Sequence, residues 1–357
     1  MIVCTSVCAN YLAKSAVLAE TLKRHHPRAR TVFCLVEKAR PERMPETAAV
    51  DEWVLARDLG WKHFGRYIIS HSRVEGATAI KARLLQYLLA HFPRENQFVY
   101  LDPDVMVTSD LRELGRLLER HPLVLTPHLL EPGNLEMEES CLNHGVFNLG
   151  FLGLRRSAEA ARFLEWWSER LRHACYDDRA NGLFTDQKWV DLAPAFFEVH
   201  LLRDPGYNVA TWALQERKLT RRGGRLFANR RPVRFVHFSG FDQGVYFWAV
   251  DRWVAGNKLL ARELGATYAR LLEAHGEAAY RQMPRSYDFL DSGEKIPAFL
   301  RRAFVDPRWL PAEEPYDLTM KQLRRRLLPE QRWWRRLGRL AKKAGRRTRD
   351  ILNGRNG

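Results

Sequence analysis

Apolar positions along the chain fall first into short unbroken runs and then into helical repeats. Ile2–Val7 is a continuous β-type run. From Tyr11 to Lys23, Leu12, Ala16, Val17, Ala19 and Leu22 recur at helical spacing, and His25-His26-Pro27 stops the pattern. Thr31–Val36 is again continuous, as expected for a strand covered on both faces. Strand, helix and strand at this spacing predict a βαβ unit and a parallel sheet.

Residues 40–78 read as irregular, punctuated by Pro41, Pro45, Gly60, Gly65 and Gly76. Ala79–His91 has a helical apolar side (Ile80, Leu84, Leu85, Leu88, Leu89) and Pro93 just beyond it. Gln97–Leu101 is a third strand. Leu111–Leu118 reads as a helix, Leu123–Thr126 and Val146–Leu154 as strands, Glu159–Arg172 as a helix and Arg234–Phe238 as a strand. From about 250 to 320 the pattern is helical, without a clear strand. The expected fold class is α/β, a Rossmann-like and mostly parallel central sheet flanked by helices, with a C-terminal helical accessory region. The expected divisions are an α/β domain over 1–250, a helical accessory subdomain over 251–320, and a basic tail over 321–357.

Composition narrows the class. The 357 residues are 46% hydrophobic and 11% aromatic, which excludes a chain disordered throughout. No apolar run approaches the ~20 residues needed to cross a bilayer. The start Met1-Ile2-Val3-Cys4-Thr5 has no basic segment before its apolar stretch, so no signal peptide is expected. Cys4, Cys8, Cys34, Cys141 and Cys175 are scattered without C-x-x-C spacing, so free thiols in a reducing cytosol are expected rather than a disulfide framework or a zinc site.

The net charge of +16 is concentrated at one end: residues 321–349 hold 13 Lys/Arg and one acid, Glu330. After Pro329, the stretch from Gln331 to Thr348 predicts a basic amphipathic helix with Trp333, Leu337 and Leu340 on its apolar side. Such a helix lies in a membrane interface, cations toward anionic lipid. A solvated charged helix is the plainer reading. Nucleic acid is not expected, because no supporting fold motif accompanies the charge.

The sharpest chemical signal is Phe98-Val-Tyr-Leu-Asp102-Pro-Asp104-Val-Met-Val107. Two carboxylates leave a hydrophobic strand at its C-terminal end, where ligands bind in open α/β sheets. Paired carboxylates there suit Mn²⁺ or Mg²⁺, and the same tripeptide suits a turn with Asx-type bonds. Much later, Phe235-Val-His237-Phe-Ser-Gly240 ends another strand in a histidine followed by a glycine turn. A lone histidine is more often a core residue, but the two strand ends together point to His237 as a third metal ligand.

With these motifs the chain resembles GT-A-fold nucleotide-sugar glycosyltransferases, most of all the retaining glycosyltransferase family 8 and its bacterial relatives. The resemblance runs in order over about residues 1–241, through Thr5–Tyr11, Ala79-Ile-Lys81-Ala-Arg83-Leu84, Asp102-Pro-Asp104, Phe147-Asn148-Leu-Gly150-Phe, Thr185-Asp186-Gln187, Pro205-Gly-Tyr207-Asn208 and His237-Phe-Ser-Gly240. It implies that Asp102, Asp104 and His237 hold Mn²⁺ (or Mg²⁺) on the diphosphate of a nucleotide sugar, expected to be UDP-linked. It implies that Tyr11 stacks on the base with Asn10 and Thr5 nearby, and that Arg83, with Lys81 as second choice, faces the phosphates. Lys81 and Arg83 diverge on a helix, so one of them at most should do so. Gly240 would let backbone approach phosphate. Asn148 and Gly150 would line the sugar pocket, Asp186 and Gln187 would sit beside the anomeric carbon or bind donor hydroxyls, and Tyr207 and Asn208 would shape the acceptor side. Trp212 is a candidate floor of the acceptor site.

The implied reaction is metal-dependent transfer of a sugar, with retention and by front-face attack, to a hydroxyl of a glycan or lipid-linked acceptor. It would take place in the cytosol or on the inner face of the cell membrane. One departure stands out. Family 8 members carry a Lys after the metal-binding His and Gly that contacts the diphosphate, whereas this chain reads Gly240-Phe-Asp242-Gln243. Arg231 or Arg234 are the candidate replacements. The alternatives are a sugar-phosphate nucleotidyltransferase, which should have a Gly-rich basic loop after the first strand where Thr5-Ser-Val-Cys-Ala-Asn10 has none, and a membrane- or RNA-binding protein that uses its basic tail.

Overall fold

A computed structural model describes residues 1–254, 256–306 and 313–326. In chain order the first half runs β1 (Ile2–Val7), α1 (Leu12–His25), β2 (Arg30–Leu35), β3 (Glu52–Leu55), α2 (Phe64–Ile68), α3 (Arg73–Ala79), α4 (Lys81–His91), β4 (Gln97–Leu101), β5 (Val105–Val107), α5 (Arg112–Leu118), β6 (Leu123–Pro127), α6 (Leu135–His144) and β7 (Phe147–Arg155). It continues with α7 (Ala158–Ala174), β8 (Asp177–Asp178), β9 (Leu183–Phe184), α8 (Gln187–Val190), α9 (Ala193–Phe196), β10 (Val199–Leu201), β11 (Val209–Ala210), β12 (Leu219–Arg222), β13 (Arg225–Ala228), β14 (Arg231–Pro232) and β15 (Phe235–His237). The helices α10 (Val245–Trp253), α11 (Lys258–Ala274), α12 (Glu277–Arg281), α13 (Ala298–Ala303) and α14 (Met320–Arg326) complete it.

The chain forms two compact units. One comprises Met1–Lys62 and His71–Ser286, the other His63–Ser70 and the residues from Tyr287 onward. The helices expected after residue 250 are therefore divided at Ser286. In the second unit, the buried Arg301 guanidinium of α13 donates to the carbonyls of Ile69 (3.0 Å) and Tyr287 (2.8 Å) and to Asp288 Oδ1 (2.9 Å). Each of these three partners is an oxygen, which offsets the cost of burying a cation.

The first unit is built on a seven-stranded sheet of order β10-β6-β7-β4-β1-β2-β3. All neighbours are parallel except β7, which runs antiparallel to both β4 and β6. The α/β class read from the apolar runs is what the chain adopts. Every residue of β1 is buried, as a parallel strand with both faces covered requires. The segment 40–78, read as irregular, supplies the edge strand β3 and two short helices. β3 was missed because its four residues carry no alternation. Ser72 and Glu75 close a capping box that starts α3 inside that segment. α10 to α12 pack their Tyr246, Val250, Leu264 and Tyr268 into one cluster with Val7, Leu12 and Val17.

A second, three-stranded sheet of order β11-β15-β5 matters most for function. It joins the strand that follows Asp104 to the strand that ends in His237. Among the described residues no helix is long and apolar enough to cross a membrane. The expected amphipathic helix from Gln331 to Thr348 lies outside the described residues.

Candidate functional site

β4 is a buried apolar strand that delivers Asp102 at its C-terminal end. The Asp102 N–H donates to Gly150 O on β7 (2.9 Å), and the Val105 N–H turns back onto Asp102 O (3.1 Å). The turn aims Asp102 and Asp104 to the same side as β5 begins. β15 then pairs antiparallel with β5, His237 opposite Val105, and the Phe238 N–H donates to Asp104 O (2.9 Å). This register brings His237 Nε2 to 3.1 Å from Asp104 Oδ1 and 3.9 Å from Asp102 Oδ2. One ligand atom from each of the three lies within 4.8 Å of the others.

Asp104 and His237 are buried and Asp102 is partly exposed. Burial pushes the Asp104 carboxyl up, but the His237 imidazole outweighs it and holds the carboxyl at about 2. Burial likewise pushes His237 down, and Asp104 more than reverses it. The group therefore favours a positive charge between two carboxylates. Two hard oxygens and one imidazole nitrogen suit Mn²⁺ or Mg²⁺, with Mn²⁺ preferred by the nitrogen, so the residues present fit a divalent ion.

The imidazole tautomer follows from one backbone group. The Gly150 N–H, which can only donate, points at Asn148, so the atom it meets at 3.1 Å is Oδ1. The Asn208 amide reaches that same Oδ1 through its Nδ2 (2.9 Å) and reaches Thr126 Oγ1 as well (3.0 Å). Its remaining Oδ1 faces His237 Nδ1 (3.2 Å) and accepts that proton. His237 Nε2 is thereby the nitrogen that faces the carboxylates, and on losing its proton it would be the ligating atom. Gly150 is required here: a Cβ on it would lie 2.4 Å from His237 Cε1.

Beside the three ligands lies a cavity of about 320 Å³, all within the first unit. On one wall Lys81 Nζ sits 3.2 Å from Asp102 Oδ1 and 3.0 Å from Asp186 Oδ2, and donates to Leu149 O (2.9 Å). Burial opposes the Lys81 charge, and Asp102 with Asp186 overcomes it, so the ammonium is held. Burial pushes the Asp186 carboxyl up, against the pull of Lys81. Tyr100 Oη links Asp102 Oδ1 (3.0 Å) to Ser6 Oγ (2.8 Å). On another wall Trp212 meets the rings of His237 and His128 edge-on, centroids 5.5 and 4.9 Å apart. The outer part is lined by Thr78 of α3, by Ser140 and His144 of α6, and by Phe184.

Of the residues read from sequence, Asp102, His237 and Lys81 meet at this cavity together with Asn148, Gly150, Asp186, Gln187 and Trp212. Asn148 and Gln187 are fully engaged in the protein. Gln187 Oε1 accepts from the Leu149 N–H (3.0 Å) and from Asn148 Nδ2 (3.2 Å), and its Nε2 donates to His144 O (2.9 Å). They hold the wall in place. Arg83 is not among the lining residues: it donates to Leu59 O (2.7 Å) and to Gln86 Oε1 (3.3 Å). Two positions along a helix turn a side chain to another face, so the order of preference between Arg83 and Lys81 reverses. Tyr207 is not an acceptor residue here. It is fully buried between Phe151 and Phe235. Asn208 is fully buried too, and acts on His237 instead. Gly240 adopts a left-handed φ of +69° at the turn into the α10 region, where a Cβ would press on Val245. Thr5 is buried within β1, and Asn10 and Tyr11 form the turn after it.

Arg231 and Arg234, the candidate replacements for the missing Lys, are engaged elsewhere, with Asp204 and Glu113 and with Asp110 and Glu113 respectively. Another buried cation acts on the carboxylates. Lys14 of α1 is buried, pairs with Asp242 at 2.7 Å, lies 3.6 Å over the Tyr11 ring and helps hold the Asp104 carboxyl low. The available signal was a lone Lys within the apolar run Leu12–Val17. His128 was also missed, because nothing in its neighbourhood marks it.

No family model matches the chain. It is 27% identical over 168 residues to the uncharacterized protein YfnD of Bacillus subtilis (strain 168), covering 45% of this chain and 52% of that one. It is 32% identical over 110 residues to the probable glycosyl transferase Gly of Streptococcus gordonii, covering 30% of this chain and 16% of that one. The chain thus spans about half the length of YfnD and a smaller part of Gly. Among solved structures, the galactosyltransferase LgtC in complex with donor and acceptor sugar analogs aligns at a TM-score of 0.48 with 15% identity, over 80% of this chain and 99% of that one. Over those 110 residues the chain is thus similar to a protein named a probable glycosyl transferase.

Proposed function

We propose that the protein is a glycosyltransferase that moves a sugar from a nucleoside diphosphate donor, UDP-linked by the resemblance, to a hydroxyl of a glycan or lipid-linked acceptor. The observation that carries this reading is the convergence of Asp102, Asp104 and His237 at the edge of a cavity walled by Lys81 and Asp186. Asp102, Asp104 and His237 would hold Mn²⁺ or Mg²⁺, which supplies positive charge for the leaving diphosphate. The chain adds its own. Lys81 places a buried ammonium group against Asp102 at the cavity wall, where fixed charge is effective because water is excluded.

Retention is what the resemblance implies, and the front-face route to it is supported by what the nearby side chains are free to do. The Gln187 amide is a poor nucleophile and is already committed to three hydrogen bonds. Asp186 is neutralised by Lys81 and almost wholly buried. The acceptor hydroxyl then attacks on the face that the diphosphate leaves. Its oxygen forms the new glycosidic bond, the bond to the diphosphate breaks, and the proton passes to the departing phosphate oxygen. Asp186 fixes donor hydroxyls, and the outer cavity by α6 receives the acceptor. A cytosolic location, on or near a membrane, suits such an acceptor.

The test is turnover of a panel of nucleotide sugars with Mn²⁺, comparing the protein with Asp104→Ala. Donor-specific turnover abolished by the substitution supports the reading; equal turnover in both removes it. A glycosyl adduct trapped on Asp186 and seen by mass spectrometry would overturn the front-face route alone.

A further inference from the structure

Charge is unevenly placed on the first unit, well away from the basic tail in sequence. Between Arg217 and Arg234 the chain has eight Arg/Lys and no Asp/Glu. The segment folds as the antiparallel sheet β12-β13-β14. Alternation along the strands sorts its side chains by face. Leu219 and Ala228 pair directly and are buried, so their face joins the core together with Leu226, while Arg221 on that face is exposed.

The cations outside the solvent face have partners. Arg221 pairs with Glu263 (2.6 Å), Arg231 with Asp204 (2.6 Å) and Arg234 with Glu113 (3.0 Å). Arg217 is buried and donates to the carbonyls of Tyr207 and Asn208. The solvent face is different. Arg222 and Arg225 stand directly opposite each other across the hairpin, both exposed. Lys218, on the same face, and Arg230, in the next turn, are exposed as well. None of these four has an ion pair among the described residues.

Like charges placed opposite each other destabilise a hairpin. Here a Gly223-Gly224 turn, φ +52° and +74°, brings the two arginines together at a tip with nothing within 4 Å of either glycine's Cβ position. Asn229 and Arg230, φ +47° and +69°, are the two-residue turn from β13 to β14. An anionic surface against this face would relieve the repulsion.

We propose that the solvent face of β12-β13-β14, through Lys218, Arg222, Arg225 and Arg230, docks the protein on an anionic lipid bilayer. Apolar neighbours favour lipid. Phe227, paired with Thr220, lies on the same face. The turn into α11 passes against Lys218, a Cβ on Gly256 lying 3.6 Å from Lys218 Cα. Leu259, in the first turn of α11, is 79% exposed. Cations beside a half-buried aromatic ring and an exposed aliphatic side chain are the composition of a membrane interface. A projecting tip meets a planar surface, whereas single-stranded nucleic acid is held in grooves.

The experiment is flotation of the full chain with phosphatidylcholine vesicles, with and without phosphatidylglycerol. The variants are Lys218→Ser/Arg222→Ser/Arg225→Ser and the charge-conserving Arg222→Lys/Arg225→Lys. Loss of three cations should reduce partitioning onto the anionic vesicles roughly 100-fold, with the lysine variant retaining it and all three proteins melting alike. Unchanged flotation of the triple variant overturns the proposal and leaves any vesicle binding to other segments, including residues 321–349. Loss of oligonucleotide binding with flotation intact overturns it in favour of nucleic acid.

Discussion

Asn208 holds its Oδ1 3.2 Å from Nδ1 of His237. Asn208 is kept in a left-handed conformation, φ +51°, with its carbonyl bound by the buried Arg217 guanidinium. A strained residue fixed from both sides thus sets which nitrogen of the imidazole faces the carboxylates. Replacing Asn208 by Leu should leave the carboxylates in place and free the ring to rotate. Mn²⁺ affinity, read by titration of the free-ion paramagnetic resonance signal, should fall about 10- to 100-fold. Wild-type affinity in the variant would show that the amide does not orient the ring.

Gly150 gives a second route to the same ligand. A Cβ there would sit 2.4 Å from His237 Cε1 and 2.7 Å from its Nδ1. Gly150→Ala should displace the imidazole and weaken Mn²⁺ binding at least as much as Asn208→Leu, with little change in far-ultraviolet circular dichroism. Binding that survives the added methyl would mean His237 is not a ligand.

Lys81 neutralises two carboxylates, and both it and Asp186 are buried. Removing one member of a buried pair costs about 3–5 kcal/mol, because the other charge is left without compensation. Lys81→Met should therefore lower unfolding stability by that amount in urea, and adding Asp186→Asn to it should restore part of the loss. No recovery in the double variant would show that Asp186 is not what Lys81 compensates.

His128 predicts a pH dependence. Burial lowers its imidazole to about 4, against an ordinary value of 6.5. Between these values the unfolded chain takes up a proton that the folded protein refuses. This contribution to stability is complete above about pH 6.5, is lost as pH falls toward 4, and changes no further below that. The gap corresponds to at most about 3 kcal/mol. The stability lost between pH 7.5 and 4.5 should be smaller in His128→Gln than in the unsubstituted protein. Equal losses would place the proton elsewhere.

The sequence by itself determined the sheet and its chemistry-bearing edge. Apolar runs such as Ile2–Val7 and Gln97–Leu101 can be buried only as covered strands, and an acid pair closing such a strand was visible as a local exception to its hydrophobic context. The choice between Lys81 and Arg83, the role of Asn208 and the part played by Lys14 were decided only by tertiary structure. Each depends on a direction or a distance across the fold: which way a helix turns a side chain, which amide atom a backbone N–H meets, which distant acid a buried ammonium finds. His237 lies 133 residues beyond Asp104, and only the pairing of β15 with β5 sets them 3.1 Å apart. Local pattern reports what each residue can do. Long-range strand register reports what it meets.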